Sequence, residues 1–304
     1  MGNSKPLRVK TISDYHKVRG LAKPEHPLIS VVNLESNSPT KRDHDTFMLD
    51  FYSISIKRAS NIKYRYGQQE YDFNEGVMFF MAPNQVFGID PNQNSVHPTG
   101  WILLIHPDFL WNTALAKAMK KYEFFDYSVN EALFLSDKEE TIIEDIIKNI
   151  QGEYKSNIDK FSQGIIISQL ETLLNYADRF YQRQFITRNI SNHRVLDTLE
   201  KLLDDYFNDE DLIAKGLPTV NYISEQLNVS PGYLRGLLKV LTGQNTQQHI
   251  HEKLISKAKE KLSTTDLSVS EIAYALGFEH PQSFSKLFKT KTKVSPLEFR
   301  QSFN

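Results

Sequence analysis

Two periodicities divide the chain. Over the first hundred residues, Leu28 to Leu34, Phe47 to Lys57, Tyr64 to Tyr66 and Gly76 to Met81 are short runs rich in β-branched and aromatic residues. Turn formers break them at close intervals: Asn37-Ser38-Pro39, Gly67, Asn74-Glu75-Gly76, Pro83-Asn84 and Asp90-Pro91-Asn92. This spacing predicts an antiparallel sandwich or barrel. After Pro107 the apolar positions recur at helical intervals. Ser136-Asp137-Lys138-Glu139 reads as a capping box opening a helix with Ile142, Ile143, Ile146, Ile147, Ile150 and Tyr154 on one stripe. A second long amphipathic helix carries Phe161, Ile165, Leu170, Leu173, Leu174, Ala177 and Tyr181. Two readings stay open: both helices cover the sheet, or the second, over 160–183, is the seam of a homodimer.

From Asn192 onward the pattern is one of short helices. The acidic loop Asn208-Asp209-Glu210-Asp211, closing in Gly216-Leu217-Pro218, resembles a linker. The boundary is placed earlier, near Thr187 to Ser191, because the short helical unit after Pro218 needs the amphipathic segment Val195 to Phe207 as a packing partner. This gives domains of 1–188 and 189–304. Thr219 caps a helix with Val220, Ile223 and Leu227 inward, and Asn228-Val229-Ser230 is the turn. Ser230 as N-cap and Pro231 at the first helical position then open a second helix, which Gly243 ends. That is a helix-turn-helix layout. On the second helix Leu234, Leu237, Leu238 and Leu241 form the inward face, and Gly232, Arg235, Gly236 and Lys239 the outward one.

The construction recurs. Ser268-Val269-Ser270-Glu271 is another capping box, Ile272, Ala273 and Leu276 point inward, Gly277 stops the helix, and Phe278-Glu279-His280 turns into Pro281. Phe284, Leu287 and Phe288 are then inward; Gln282, Ser285, Lys286 and Lys289 are outward, with Ser283 added as a DNA contact. Lysines 286, 289, 291 and 293 lie in a stretch without an acid. Arginine pairs bidentately with guanine, glutamine with adenine, and lysine meets guanine or phosphate. Between the two units, Thr246 to Leu262 is a helix with Ile250, Leu254, Ala258 and Leu262 on one stripe, suited to fixing their spacing.

Charge changes the picture modestly. The 304 residues carry 36 basic and 37 acidic side chains; from Pro218 onward there are 11 basic and 7 acidic, so the tail is +4 and the rest −5. A basic tail on an acidic partner fits one domain meeting a polyanion. There is no cysteine, which excludes disulfides, thiolate zinc sites and cysteine nucleophiles. Met1 to Lys10 is polar and basic, unlike a secretory signal, and the longest apolar stretches, such as Trp101 to Ile105, are too short to span a bilayer. A cytoplasmic protein with no membrane partner is expected.

Three runs carry a family resemblance: Ile272-Ala273-Tyr274-Ala275-Leu276-Gly277-Phe278, Phe284-Ser285-Lys286-Leu287-Phe288-Lys289 and Ser295-Pro296-Leu297-Glu298-Phe299-Arg300. Together with Leu227 to Leu234 and Lys257-Ala258-Lys259 they resemble the AraC/XylS family of bacterial transcription regulators over about Asn192 to Arg300. The resemblance implies a reading head whose two recognition helices enter successive major-groove faces about one helical turn apart. It implies promoter DNA and RNA polymerase as partners. Its base-reading positions fall on Gly232, Arg235 and Gly236, and on Pro281, Gln282, Ser285 and Lys286. Gly232 and Gly236 depart from the family by lacking side chains, which leaves Arg235 to carry most of the first unit. Lys293 departs by standing where a glycine is usual. Tyr71 to Gly76, Met81 to Gln85, and Gly100-Trp101 through His106-Pro107-Asp108 resemble the landmarks of that family's cupin-type sensor. The implied fold is therefore α+β: an antiparallel, cupin-like barrel with flanking helices, then an all-helical domain with two helix-turn-helix motifs. Leu170 to Tyr181 falls where relatives often dimerise.

A cupin can instead be a metal enzyme, which needs histidines and a carboxylate converging on one barrel wall. Here His44 stands beside Asp43 and Asp45, Gln85 takes the place of a late-strand histidine, and His97 and His106 are scattered. No metal, other cofactor or catalytic residue is expected. His249 and His251, two apart on a helix, face different ways. Ser283 and Lys286 match a serine–lysine hydrolase spacing by chance. The barrel interior remains a place for a small-molecule effector, with Phe47, Tyr52, Tyr64, Tyr66, Phe79, Met81 and Trp101 as candidate walls. The alternatives to a ligand-modulated regulator are a metal-dependent cupin enzyme and a regulator controlled by protein partners alone.

Overall fold

The computed structural model describes residues 6–36, 46–58, 63–66, 69–72, 76–88, 99–127, 131–156, 159–187, 189–209 and 211–302, with the backbone alone at 63–66, 69–72, 87–88 and 189–193. It divides into two compact units, Met1–Gln184 and Phe185–Asn304. The division falls four residues before the one expected from sequence, within a helix that runs through Thr187.

The first unit contains β1 (Leu7–Val9), α1 (Ile12–Val18), β2 (Ile29–Asn33), β3 (Thr46–Leu49), β4 (Tyr52–Arg58), β5 (Lys63–Tyr66), β6 (Gln69–Asp72) and β7 (Gly76–Met81). It continues with β8 (Val86–Gly88), β9 (Thr99–Ile105), α2 (Ala114–Ala118), β10 (Leu133–Leu135), α3 (Asp137–Lys155) and α4 (Ser162–Thr187). Five strands form an antiparallel sheet in the order β10-β7-β4-β9-β2; β1, β3 and β8 form a second sheet, and β5 and β6 a hairpin.

The expected closed antiparallel barrel is corrected on two counts. Among the described residues the strands lie in three separate sheets, and β1 pairs with β3 in parallel. The physical reason lies at the edges of the five-stranded sheet, where helix side chains take the place of further strands. At the β2 edge the Tyr154 hydroxyl of α3 accepts from the Val31 N–H at 2.8 Å. At the β10 edge the Phe134 N–H donates to Gln184 Oε1 at 2.8 Å, and Gln184 Nε2 donates to Ala132 O at 3.1 Å. Arg183 donates to Phe134 O at 2.7 Å while paired with Glu139, also at 2.7 Å. An edge satisfied in this way has no ladder left to offer a neighbour.

The register sorts side chains onto the two faces of this sheet, because paired residues share a face and alternate residues change it. Ile54, Ile56, Met78, Phe80, Leu103 and Leu133 lie on one face; Ser53, Ser55, Val32, Ile102, Leu104 and Phe134 lie on the other. On the second face Val32, Ile102 and Leu104 pack with Phe47 and Leu49 of β3. On the first, Phe80 meets Phe124, Phe125 and Tyr181 of α4 at centroid distances of 4.4–6.2 Å. Helix α3 buries Ile143, Ile146, Ile147, Ile150 and Tyr154, and the Glu139 carboxylate accepts from Ser136 N–H at 2.9 Å, but Ile142 is exposed. On α4, Leu170, Leu173, Leu174, Ala177 and Tyr181 are buried in their own unit, whereas Phe161, just before the helix, and Ile165 are exposed.

The second unit is all helical: α5 (Asn189–Phe207), α6 (Leu212–Lys215), α7 (Val220–Gln226), α8 (Pro231–Thr242), α9 (Thr246–Thr264), α10 (Val269–Ala275), α11 (Pro281–Thr292) and α12 (Pro296–Gln301). One core runs through it, joining Leu199, Leu203 and Phe207 of α5 to Ile223, Leu234 and Leu238, and on to Ile272, Phe284 and Phe288. Val195 to Phe207 therefore packs with the helices beyond Pro218, as its amphipathic pattern predicts. Among the described residues no helix is long and apolar enough to cross a membrane.

Candidate nucleic-acid interface

Each helix pair is built by local chemistry. Thr219 caps α7 by accepting from Tyr222 N–H at 3.1 Å; Ser230 caps α8 by accepting from Tyr233 N–H at 3.2 Å. Ser268 and Glu271 form a reciprocal capping box on α10, with the Glu271 carboxylate accepting from Ser268 N–H at 2.7 Å. Those hydrogen bonds from Ser268 hold the Glu271 pKa below its ordinary value. In the turns, Asn228 (φ 55°) and Gly277 (φ 82°) take the left-handed conformation that lets each chain reverse. The second turn is one residue longer than the first, since α7 and α8 are separated by 227–230 and α10 and α11 by 276–280.

Helices α8 and α11 are each 12 residues long, open on proline and end against a left-handed residue, Gly243 (φ 76°) or Lys293 (φ 69°). They therefore superpose in sequence at an offset of fifty, Pro231 on Pro281 and Gly243 on Lys293. Their inward faces match: Leu234 and Leu238 in α8, Phe284 and Phe288 in α11, all buried. Their outward faces are complementary. Gly232 and Gly236 correspond to Gln282 and Lys286, while Arg235 corresponds to Ser285; Lys239 corresponds to Lys289. Arg235, Lys239, Gln282, Ser283, Lys286 and Lys289 are exposed, and Gly232, Gly236, Pro281 and Ser285 are half-buried. All the sequence-predicted DNA contacts thus fall on the outer surfaces of two equivalent helices within one unit.

Helix α9 lies between the pairs with Ile250, Leu254, Ala258 and Leu262 buried, as its stripe predicts, and Ile255 added. Three anchors were not singled out from sequence. Arg300 of α12 donates to Leu262 O at 3.2 Å and to Leu267 O at 2.6 Å, tying the end of α9 to the start of α10. Lys253 of α9 pairs with Asp204 of α5. Gly216 lies against Gly277: a Cβ on Gly277 would come within 2.9 Å of the Gly216 carbonyl carbon. Only Arg300 had a sequence signal, the Ser295 to Arg300 run; the other two are tertiary pairings with no local pattern. His249 Nε2 lies 2.9 Å from Thr242 Oγ1 and His251 Nε2 2.9 Å from Gln247 Nε2. Burial lowers the pKa of both, and the charge of Lys291 lowers that of His251 further.

Residues 223–302 match the model of a family described as a helix-turn-helix domain. The chain is 31% identical over 143 residues to the HTH-type transcriptional activator RhaS of Escherichia coli O139:H28, covering 46% of each protein. These residues form a helix-turn-helix domain of the AraC/XylS type. The chain thus spans about half the length of the curated relatives it matches. Among solved structures, the AraC-type unit is similar to the C-terminal domain of the two-component response regulator yesN from Fusobacterium nucleatum. That likeness is at 29% identity, covers 35% of this chain and 98% of that one, and has a TM-score of 0.31. It is also similar to the C-terminal domain of AraT, a response regulator from Geobacillus stearothermophilus, at 29% identity over 36% of this chain and 84% of that one, with a TM-score of 0.32.

The candidate effector walls in the first unit do not converge. Phe47 is buried between the two larger sheets, and Phe79 and Met81 lie on the same side of the five-stranded sheet as that cluster. Tyr52 and Trp101 lie on the opposite side, with Ile54, Ile56 and Leu103, where the Tyr52 ring meets Phe125 at 5.1 Å. The side chains of Tyr64 and Tyr66 lie outside the described residues, as do His44 and His97. Gln85 holds a turn together: its Oε1 accepts from Ala82 N–H at 2.9 Å and its Nε2 donates to Phe125 O at 2.6 Å. His106 Nδ1 accepts from Asp108 N–H at 3.2 Å. Among the described residues no three His, Asp or Glu side chains are placed to share a metal ion.

Proposed function

We propose that the chain is a sequence-specific DNA-binding transcription regulator, reading promoter DNA with α8 and α11. The observation that carries this reading is the pair of equal-length helices on one core, each with a polar and basic outward face. In it Arg235, Gln282, Ser285 and Lys286 read base edges, Ser283 adds a polar contact, and Lys239 and Lys289 meet phosphate. Gly232 and Gly236 let the α8 backbone approach the groove closely. Affinity should fall steeply with salt, since each neutralised phosphate releases counterions. The test is to map bound sites genome-wide, then titrate one site against the protein and its variants. Arg235→Ala and Lys286→Ala should each cost about 1–3 kcal/mol at that site. Unchanged affinity in both would remove α8 and α11 as the readers.

The first unit serves this reading as a sensor for a small molecule, and RNA polymerase as the partner through which promoter binding is felt. Cytoplasmic placement follows from the same reading. A homodimer would use the exposed side of α4, where Ile165, Ser168, Thr172, Arg179 and Ile186 recur at heptad-like spacing, because the apolar stripe expected for a seam is already buried. Sedimentation of the chain and of an Ile165→Glu variant checks it: a dimer that dissociates only in the variant supports the seam.

A further inference from the structure

The two reading helices are equivalent in length and in how they end, but not in stiffness. Helix α8 carries glycine at its second and sixth positions, Gly232 and Gly236, where α11 has Gln282 and Lys286. A glycine inside a helix is disfavoured relative to alanine, because its backbone gains freedom in the unfolded chain. The two glycines bracket Arg235 in the sequence, so the part of α8 that must present this side chain also has the weakest helical preference. Leu234 and Leu238 anchor its inward side in the common core. Tyr233 adds a lateral anchor: its ring meets that of Phe185 edge to face, at a centroid distance of 5.1 Å and an interplanar angle of 75°. Such ring pairs stabilise beyond the area they bury, by an amount comparable to the penalty of one helical glycine. Phe185 is 3% exposed and lies in the last turn of α4, the part of that helix that falls within the second unit. It precedes the residues 223–302 that match the family. In α11 the residue equivalent to Tyr233 is Ser283, which is exposed and has no ring to place there.

We infer that Phe185 and Tyr233 are positioning residues for base reading: their ring contact fixes the first turns of α8, and with them the direction from which Arg235 reaches the groove. Neither ring needs to touch DNA for this. The inference deepens the proposed function and rests on it. It makes the last turn of α4 a working part of the DNA-reading unit, although the family pattern begins well downstream. Loss of the contact should release α8 alone, since α11 is held by Phe284 and Phe288 in the core.

The test measures the affinity of the full chain for one mapped site. The variants are Phe185→Leu, which keeps apolar bulk at the buried position, Tyr233→Ala and Tyr233→Phe, and circular dichroism checks that each is folded. Phe185→Leu and Tyr233→Ala should each weaken binding about three- to tenfold. Tyr233→Phe, which keeps the ring, should bind as the parent does. Coupling then identifies the route. In an Arg235→Ala background Phe185→Leu should cost no further affinity, whereas in a Lys286→Ala background it should keep its full effect. Equal losses in the two backgrounds, unchanged binding in Phe185→Leu, a loss that Tyr233→Phe shares, or unfolding of both Phe185→Leu and Tyr233→Ala overturns the inference. Failure of the regulator reading looks different: Arg235→Ala and Lys286→Ala would then both bind as the parent does, which removes this inference with it.

Discussion

Three residues with positive φ separate two effects that substitutions usually mix. At Gly243 (φ 76°) a Cβ would meet nothing within 4 Å, so Gly243→Ala should cost only the left-handed penalty, about 1 kcal/mol. At Gly277 (φ 82°) the same change also drives a methyl to 2.9 Å from the Gly216 backbone. Gly277→Ala should therefore cost about 1–2 kcal/mol more than Gly243→Ala, read from denaturant midpoints of the two variants. Lys293 sits at φ 69° in the place equivalent to Gly243, so Lys293→Gly should stabilise by up to about 1 kcal/mol. Histidine supplies a pH dependence. Burial lowers the pKa of both His249 and His251 below 6.5, so the folded unit favours their neutral forms. Their contribution is complete above the unfolded value and is lost as pH falls through it toward the lowered folded values. Melting temperature should drop between pH 7.5 and about 5, and His249→Gln with His251→Gln should flatten that drop.

At the scale of elements, the helices of the second unit were legible because their ends are written locally. Thr219, Ser230 and Ser268 each cap in the structure as their positions imply, and Gly243 stops α8 where it should. The first unit was less legible. Strand β10 escaped notice because Leu133-Phe134-Leu135 is buried throughout and does not alternate, and its outer edge is satisfied by side chains fifty residues away. The split of the aromatic set has a similar origin. Asp50 and Phe51 interrupt what reads as one run from Phe47 to Lys57, and only the pairing of β4 with β9 decides which way Tyr52 and Trp101 face. Gln184→Leu tests the edge: removing the amide strands the Phe134 N–H and the Ala132 carbonyl. It should cost about 2–3 kcal/mol and promote aggregation in light scattering, whereas Gln182→Leu, on the exposed side of the same helix, should do neither.

For the molecule as a whole, α9 and the Gly216–Gly277 contact hold the two helix pairs as one solid piece. A shared core of this kind resists relative movement of the two prongs, so the proposed reading head should act as a caliper set to a single opening. Adding five base pairs between the two halves of a bound site turns the second groove to the far side of the duplex. With both prongs on one core, the proposed head should not follow it, and a gel-shift titration of the lengthened site should show the loss of half of the recognition. Under the proposed function, the sites it reads can drift in letter but hardly in phase.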